Sequence, residues 1–139
     1  MSTLACVALS ALSTPSAPAT AEKQPVVVVH GPTVVAFFEP VAQAKLEKDP
    51  DTNEALGDFQ LYAANLREPL RREGIEFHEL YAYSFRVCVG NRSTTFRSVK
   101  GNVGYYLVAP GKKPRIEYGV MTDVDLLQVA NEYFGIPAK

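Results

Sequence analysis

The chain has 139 residues, 47% hydrophobic and 21% charged, with a formal net charge of -1. This is the composition of one globular domain, and it excludes a disordered or fibrous polymer. The near-zero charge gives no field to draw in nucleic acid or an anionic membrane, and no segment reaches the ~20 apolar residues of a membrane-spanning helix.

Residues 1–21 carry no charged side chain and pass from an apolar run into a Ser/Thr/Pro/Ala-rich stretch ending in Ala19-Thr20-Ala21, after which Glu22 and Lys23 follow at once. The A-x-A ending predicts an export signal over 1–21 and a periplasmic or secreted chain starting near Glu22, although the basic start of such a signal is missing. The other reading is an Ala/Ser/Pro-rich tail. Cys6 follows Thr3, Leu4 and Ala5, which does not fit the pattern of a lipid-anchored cysteine. With 1–21 removed, Cys88 is the only cysteine of the sequence and has no intramolecular partner.

Residues 22–32 read as a leader, within which the four valines at 26–29 form either an edge strand or an extended approach segment. Residues 33–38, TVVAFF, are apolar on both faces, which predicts a central strand covered by a helix on each side. For residues 41–48 a helical turn and a structured loop are both open. Asp51 and Glu54 give a helix start, and Leu56, Phe59, Ala63, Leu66 and Leu70 recur at helical spacing, predicting a helix over 51–73 with Pro69 in its last turn. Strand character resumes over 75–81, completing a β-α-β unit.

Segments 84–89 and 92–97 flank Gly90-Asn91, a two-residue hairpin loop. That register sets Phe85 against Phe96 and Val87 against Thr94; the alternative would set Arg86 against Arg97, and opposed like charges are unfavourable. Residues 104–109 and 114–119 form a second hairpin around Pro110-Gly111-Lys112-Lys113-Pro114. Thr122 and Asp125 then cap a helix whose Leu126, Leu127, Ala130, Tyr133 and Phe134 share one face, ending at Gly135 and Pro137.

This order, β-α-β then β-β-α with an inserted β-hairpin, resembles the thioredoxin-like fold, and GYYLVAPGKKPRIEYGVMTDVDLLQVANEYF is similar to that family's terminal hairpin and helix. The resemblance implies an α/β three-layer sandwich over 33–139. In that family a Cys-x-x-Cys pair follows the first central strand, whereas residues 39–51 here hold no cysteine; where the family has a cis-proline, this chain has Asn102-Val103-Gly104. Dithiol exchange needs two thiols at one place, so the resemblance implies the fold of a divergent member without the family's redox chemistry.

Of the remaining candidates for chemistry, Cys88 is the one weak catalytic candidate, with Arg86 near enough in sequence to favour a thiolate. The plainer reading is a half-buried strand cysteine. His30 and His78, with Glu76 or Glu79, share no metal-ligand spacing, and His78 is expected to point outward; no metal or cofactor is expected. Asp51, Glu54, Glu68 and Glu73 read as caps and a solvated helix face, and the arginines and lysines at 67, 71, 72, 86, 92, 97, 100, 112, 113 and 115 as surface charge, not a nucleic-acid face.

These readings combine in an exported, non-redox thioredoxin-like domain that serves as a protein-binding or accessory module of the cell envelope. Its expected contact surfaces are the loop 39–50, with Glu39 and Pro40, and the hairpin 84–97, with Phe85, Arg86, Arg92, Phe96 and Arg97 exposed. The partner is a protein of unknown identity, or a second copy of the chain added at the 26–29 edge. The alternatives are a lone-thiol enzyme using Cys88 and a purely structural envelope protein.

Overall fold

A computed structural model describes residues 24–136; the expected signal segment 1–21 and Cys6 lie outside them. Seven strands, β1 (Val26–Val29), β2 (Thr33–Phe38), β3 (Glu76–Tyr81), β4 (Ser84–Val89), β5 (Arg92–Arg97), β6 (Val103–Ala109) and β7 (Lys112–Tyr118), accompany three helices. These are α1 (Gln43–Lys48), α2 (Pro50–Arg72) and α3 (Asp123–Phe134). The architecture is mixed α/β with two sheets.

The larger sheet has the order β3-β2-β6-β7, with β2 parallel to β3 and antiparallel to β6. All six residues of β2 are buried, and strand alternation divides them between two cores. Val34, Ala36 and Phe38 face the helices and meet Phe59, Leu66 and Leu70 of α2 and Leu126, Ala130 and Tyr133 of α3. Val35 and Phe37 face the other way, onto Val27, Val29, Phe85, Val87 and Phe96.

That second face corrects an expectation. A helix was expected on each side of β2, but one side is covered by a three-stranded sheet of order β1-β4-β5. The hairpin β4-β5 does not join the main sheet; it lies across it, and β1 pairs with it in parallel. Within the expected leader 22–32, residues 26–29 form the strand β1, whose Val27 and Val29 are buried. Alternation explains why the runs at 26–29 and 84–89 are read by this layer: Val27, Val29, Phe85 and Val87 point inward, while Val26, Val28, Ser84 and Arg86 are half-buried or exposed and Cys88 alone of the alternate set is buried.

The hairpin register stands as expected, with Phe85 opposite Phe96 and Val87 opposite Thr94 around Gly90, whose φ is 58°. Helix α2 starts earlier than the sequence suggested. Asp49 is its N-cap, accepting from the Thr52 amide at 3.2 Å and the Thr52 hydroxyl at 2.7 Å, with Pro50 in the first turn. Proline at the first helical position gives up no bonded amide, so Asp49-Pro50 outcompetes the Asp51 start. The open stretch before it is a short helix, α1. Helix α3 has the expected cap, with Thr122 accepting from the Asp125 amide at 3.2 Å, and it ends on Gly135 in the left-handed region.

In the second hairpin β7 begins at Lys112, so the turn is shorter than expected and Pro114 lies within a strand. β7 is an edge strand, where a missing amide breaks no ladder. Gly104 of β6 sits between Phe37 and Tyr118, where a Cβ would stand 2.6 Å from the Glu117 carbonyl oxygen and 2.8 Å from the Phe37 ring. Arg115 ties β7 to α3, reaching Glu117 at 2.8 Å and Glu132 at 3.4 Å.

Candidate functional site

Glu39 is the buried charged residue among those described, and it follows directly on β2. Its side chain takes its place in the alternation after Val35 and Phe37, towards the second sheet. There the Tyr83 hydroxyl, just before β4, donates to Glu39 Oε1 at 3.3 Å. The Lys45 ammonium of α1 reaches the same oxygen at 3.4 Å. The carboxylate is 5% exposed and its lysine 49%. So α1, whose helical state the sequence left open, is what brings a cation to Glu39.

The β3-β4 junction adds a second polar group at this end of the sheet. The Tyr81 hydroxyl bonds Glu79, Gln60 Nε2 donates to Tyr81 Oη at 3.3 Å, and Arg67 Nη2 reaches Glu79 Oε1 at 2.5 Å. The Tyr81 ring lies over Phe38 and Phe59, at 6.5 and 6.0 Å between centroids. Burial of the phenol, and then its bond to the Glu79 carboxylate, push its pKa up, so Tyr81 stays a neutral donor. Tyr81 and Tyr83 are nonetheless 41% and 49% exposed; Tyr81 lies on the helix side of the sheet with Phe38 and Phe59, and Tyr83 with exposed Pro40 borders the buried carboxylate. Such a group can accept hydrogen bonds from an amide or a cationic side chain that a partner inserts, and tyrosines are favoured contact residues because they bury area at low entropic cost.

The residues expected to form contact surfaces are divided by the structure. Glu39 and Pro40 are consecutive after β2, and Arg97 pairs with Ser84 beside Tyr83, where the Ser98 amide donates to the Tyr83 carbonyl at 2.9 Å. Arg92 pairs with Val89 at the opposite end of the hairpin, and half-buried Arg86 alternates away from Phe85 and Val87. Phe85 and Phe96 are not exposed: they are 0% and 8% accessible and pack with Phe37 and Tyr106 at centroid distances of 5.1 to 5.9 Å. The aromatic pair that fixed the register was the core of a second layer, not a surface. Sequence reasoning missed Lys45, Tyr81 and Tyr83, whose places depend on α1 and on the turn between β3 and β4.

Cys88 is buried and disulfide-bonded, and no described cysteine is free. Among the described residues no group of three or more His, Cys, Asp or Glu side chains could hold a metal ion. The His78 side chain is 37% exposed. Its register partner is Val35, its Nε2 is buried without a hydrogen bond, and the nearest carboxylate oxygen, of Glu76, is 3.5 Å away. Among the described residues no helix is long and apolar enough to cross a membrane. No protein-family model, curated protein or solved structure matches the chain.

Proposed function

We propose that the chain is an exported, non-redox member of the thioredoxin-like superfamily that binds a protein partner in the cell envelope with the end of the sheet formed by Glu39, Pro40, Tyr81 and Tyr83. The fold part of this reading is supported by a β-α-β unit and a β-β-α unit sharing one four-stranded sheet. The second sheet, in place of a helical layer, is the departure that makes the member divergent.

The observation that carries the binding reading is Glu39. A carboxylate at 5% exposure with a half-exposed lysine and a half-exposed tyrosine on one oxygen is poorly compensated for leaving water, and such uneconomical groups are kept at working sites. It stands directly after the first central strand, the place where the resembled family carries its reactive pair, and the segment around it holds no cysteine.

A photo-crosslinking residue placed at Pro40 or Tyr83 is expected to trap one discrete envelope protein, and the same residue at Gln128 on α3 is expected to trap none. Loss of the Pro40 and Tyr83 products in Glu39→Leu, in a protein that remains folded, supports the site. Equal products from all three positions, or products indifferent to Glu39, would overturn it.

A further inference from the structure

The two sheets end in four edge strands, β3 and β7 of the large one and β1 and β5 of the small one. Three of these carry the charges or the proline that keep an edge from pairing with another chain: β3 has Glu76 and Glu79, β5 has Arg92 and Arg97, and β7 has Lys113 and Pro114. β1 is four valines, with neither a charge nor a proline inside it.

The backbone of β1 is turned half to its neighbour and half away. The Pro25 carbonyl accepts from the Arg86 amide at 2.9 Å, and Val26 stands opposite Arg86 in the parallel ladder. Peptide groups along a strand point to alternate sides, so Val27 and Val29 bond β4 while the N–H and C=O of Val26 and Val28 point out of the sheet. Among the described residues no strand pairs with that side, and the Val28 side chain is 37% exposed. A row of outward amides and carbonyls is satisfied by another extended backbone.

β1 is its own complement. A second β1, related by a two-fold axis through Val28 and perpendicular to the sheet, runs antiparallel to the first. That operation sets Val28 against Val28 and Val27 against Val29, and it keeps the buried valines of both copies on the inner side. In this register the outward groups of the two Val28 residues exchange both of their backbone hydrogen bonds, and Val26 faces His30. A net charge of -1 puts no barrier between copies. The joined sheet ends in β5 on each side, with its arginines, so assembly closes at two copies.

We propose that the β1 edge is a self-pairing surface, through which two copies of the chain join their small sheets into one. A single strand pair buries less than the roughly 1,200 Å² of a standard interface, so the dimer is reversible and depends on concentration. The proposal does not rest on the partner surface around Glu39.

Sedimentation of the full chain at rising concentration tests it, together with exchange of the Val26 and Val28 amides. A monomer–dimer equilibrium is expected, with those two amides protected in the dimer and open to solvent in the monomer. Val28→Lys opposes two ammonium groups at the axis and Val28→Glu two carboxylates, so each variant alone is expected to weaken the dimer by about fivefold or more. Mixed together, the two variants are expected to pair with each other, which requires residue 28 to face residue 28. The position is exposed, so both keep the monomer's fold, and circular dichroism checks that they do. A full chain still monomeric at about 1 mM, a dimer that both variants leave intact, Val26 and Val28 amides that exchange alike in monomer and dimer, or a mixture that pairs no better than either variant alone would each overturn the proposal.

Discussion

Replacing Glu39 by leucine separates a working residue from a structural one. The Lys45 partner is half exposed, which holds that ion pair to the roughly 0.2–1 kcal/mol of surface pairs despite its 3.4 Å separation. The Tyr83 contact is long, at 3.3 Å, and adds about 1 kcal/mol at most. Against these stands the removal of a carboxylate from water, several kcal/mol even after relaxation. Glu39→Leu is therefore expected to raise stability by about 1–3 kcal/mol, the range found when buried ionic groups give way to apolar ones. In a domain of this size that is a rise in melting temperature of about 4 °C per kcal/mol, read by scanning calorimetry. Lys45→Ala should cost under about 1 kcal/mol. Binding of the envelope partner should be lost in Glu39→Leu even as the melting point rises. A fall of more than 5 °C, on the order of 1 kcal/mol of lost stability, would refute the reasoning and make Glu39 a part of the scaffold.

Three further outcomes test the fold and its chemistry. Gly104→Ala puts a methyl group against the Glu117 carbonyl and the Phe37 ring, so urea unfolding should show a loss of about 1–3 kcal/mol; a change within 0.5 kcal/mol of zero, the usual scale of a surface substitution, would contradict the close approach of β2, β6 and β7. Burial raises the pKa of Tyr105, with the Met121 amide at its oxygen opposing in part. A raised pKa in the folded state means that the stabilisation is whole below the unfolded value of about 10 and is lost as pH climbs through the folded one. The urea midpoint should accordingly fall only in the alkaline range, and Tyr105→Phe should flatten that fall; an unchanged slope would sink the assignment. Finally, a chain cut after Ala21 keeps Cys88 as its one cysteine of this sequence, and Cys88 is 2% exposed. A thiol probe is expected to label the cut chain only on unfolding, and fast labelling of the folded chain would show that Cys88 is open to solvent.

What the sequence disclosed followed the range of the forces involved. Helix periodicity, the Thr122 cap and the β4-β5 register are decided by residues a few positions apart, and each was legible before the structure. The Asp49-Pro50 start is equally local and was overlooked in favour of a weaker signal at Asp51. The second layer was not legible. Four valines at 26–29 state that a strand is available, not that it will pair with residues 86–89, and an apolar hairpin reads alike whether it extends a sheet or covers one. Glu39 was picked out by its place after a central strand, while its partners depended on α1 and on where the second sheet sets Tyr83. The same layer turned Phe85 and Phe96 from contact residues into core.

That β2 sends alternate side chains into two cores has a consequence for how the molecule comes apart. Neither layer can loosen without uncovering one face of the same strand, so the helices and the small sheet share a fate through Val34 to Phe38. The amides of β2 should therefore be the last to exchange with solvent, opening only when the whole molecule opens. β1 sits at the other extreme. Its strand pairing is to one side of β4 alone, between residues sixty positions apart, such as Val27 and Val87. Closing so long a loop for four residues of pairing gives little return, which makes β1 the strand that detaches first and leaves Val35 and Phe37 the task of holding the small sheet in place.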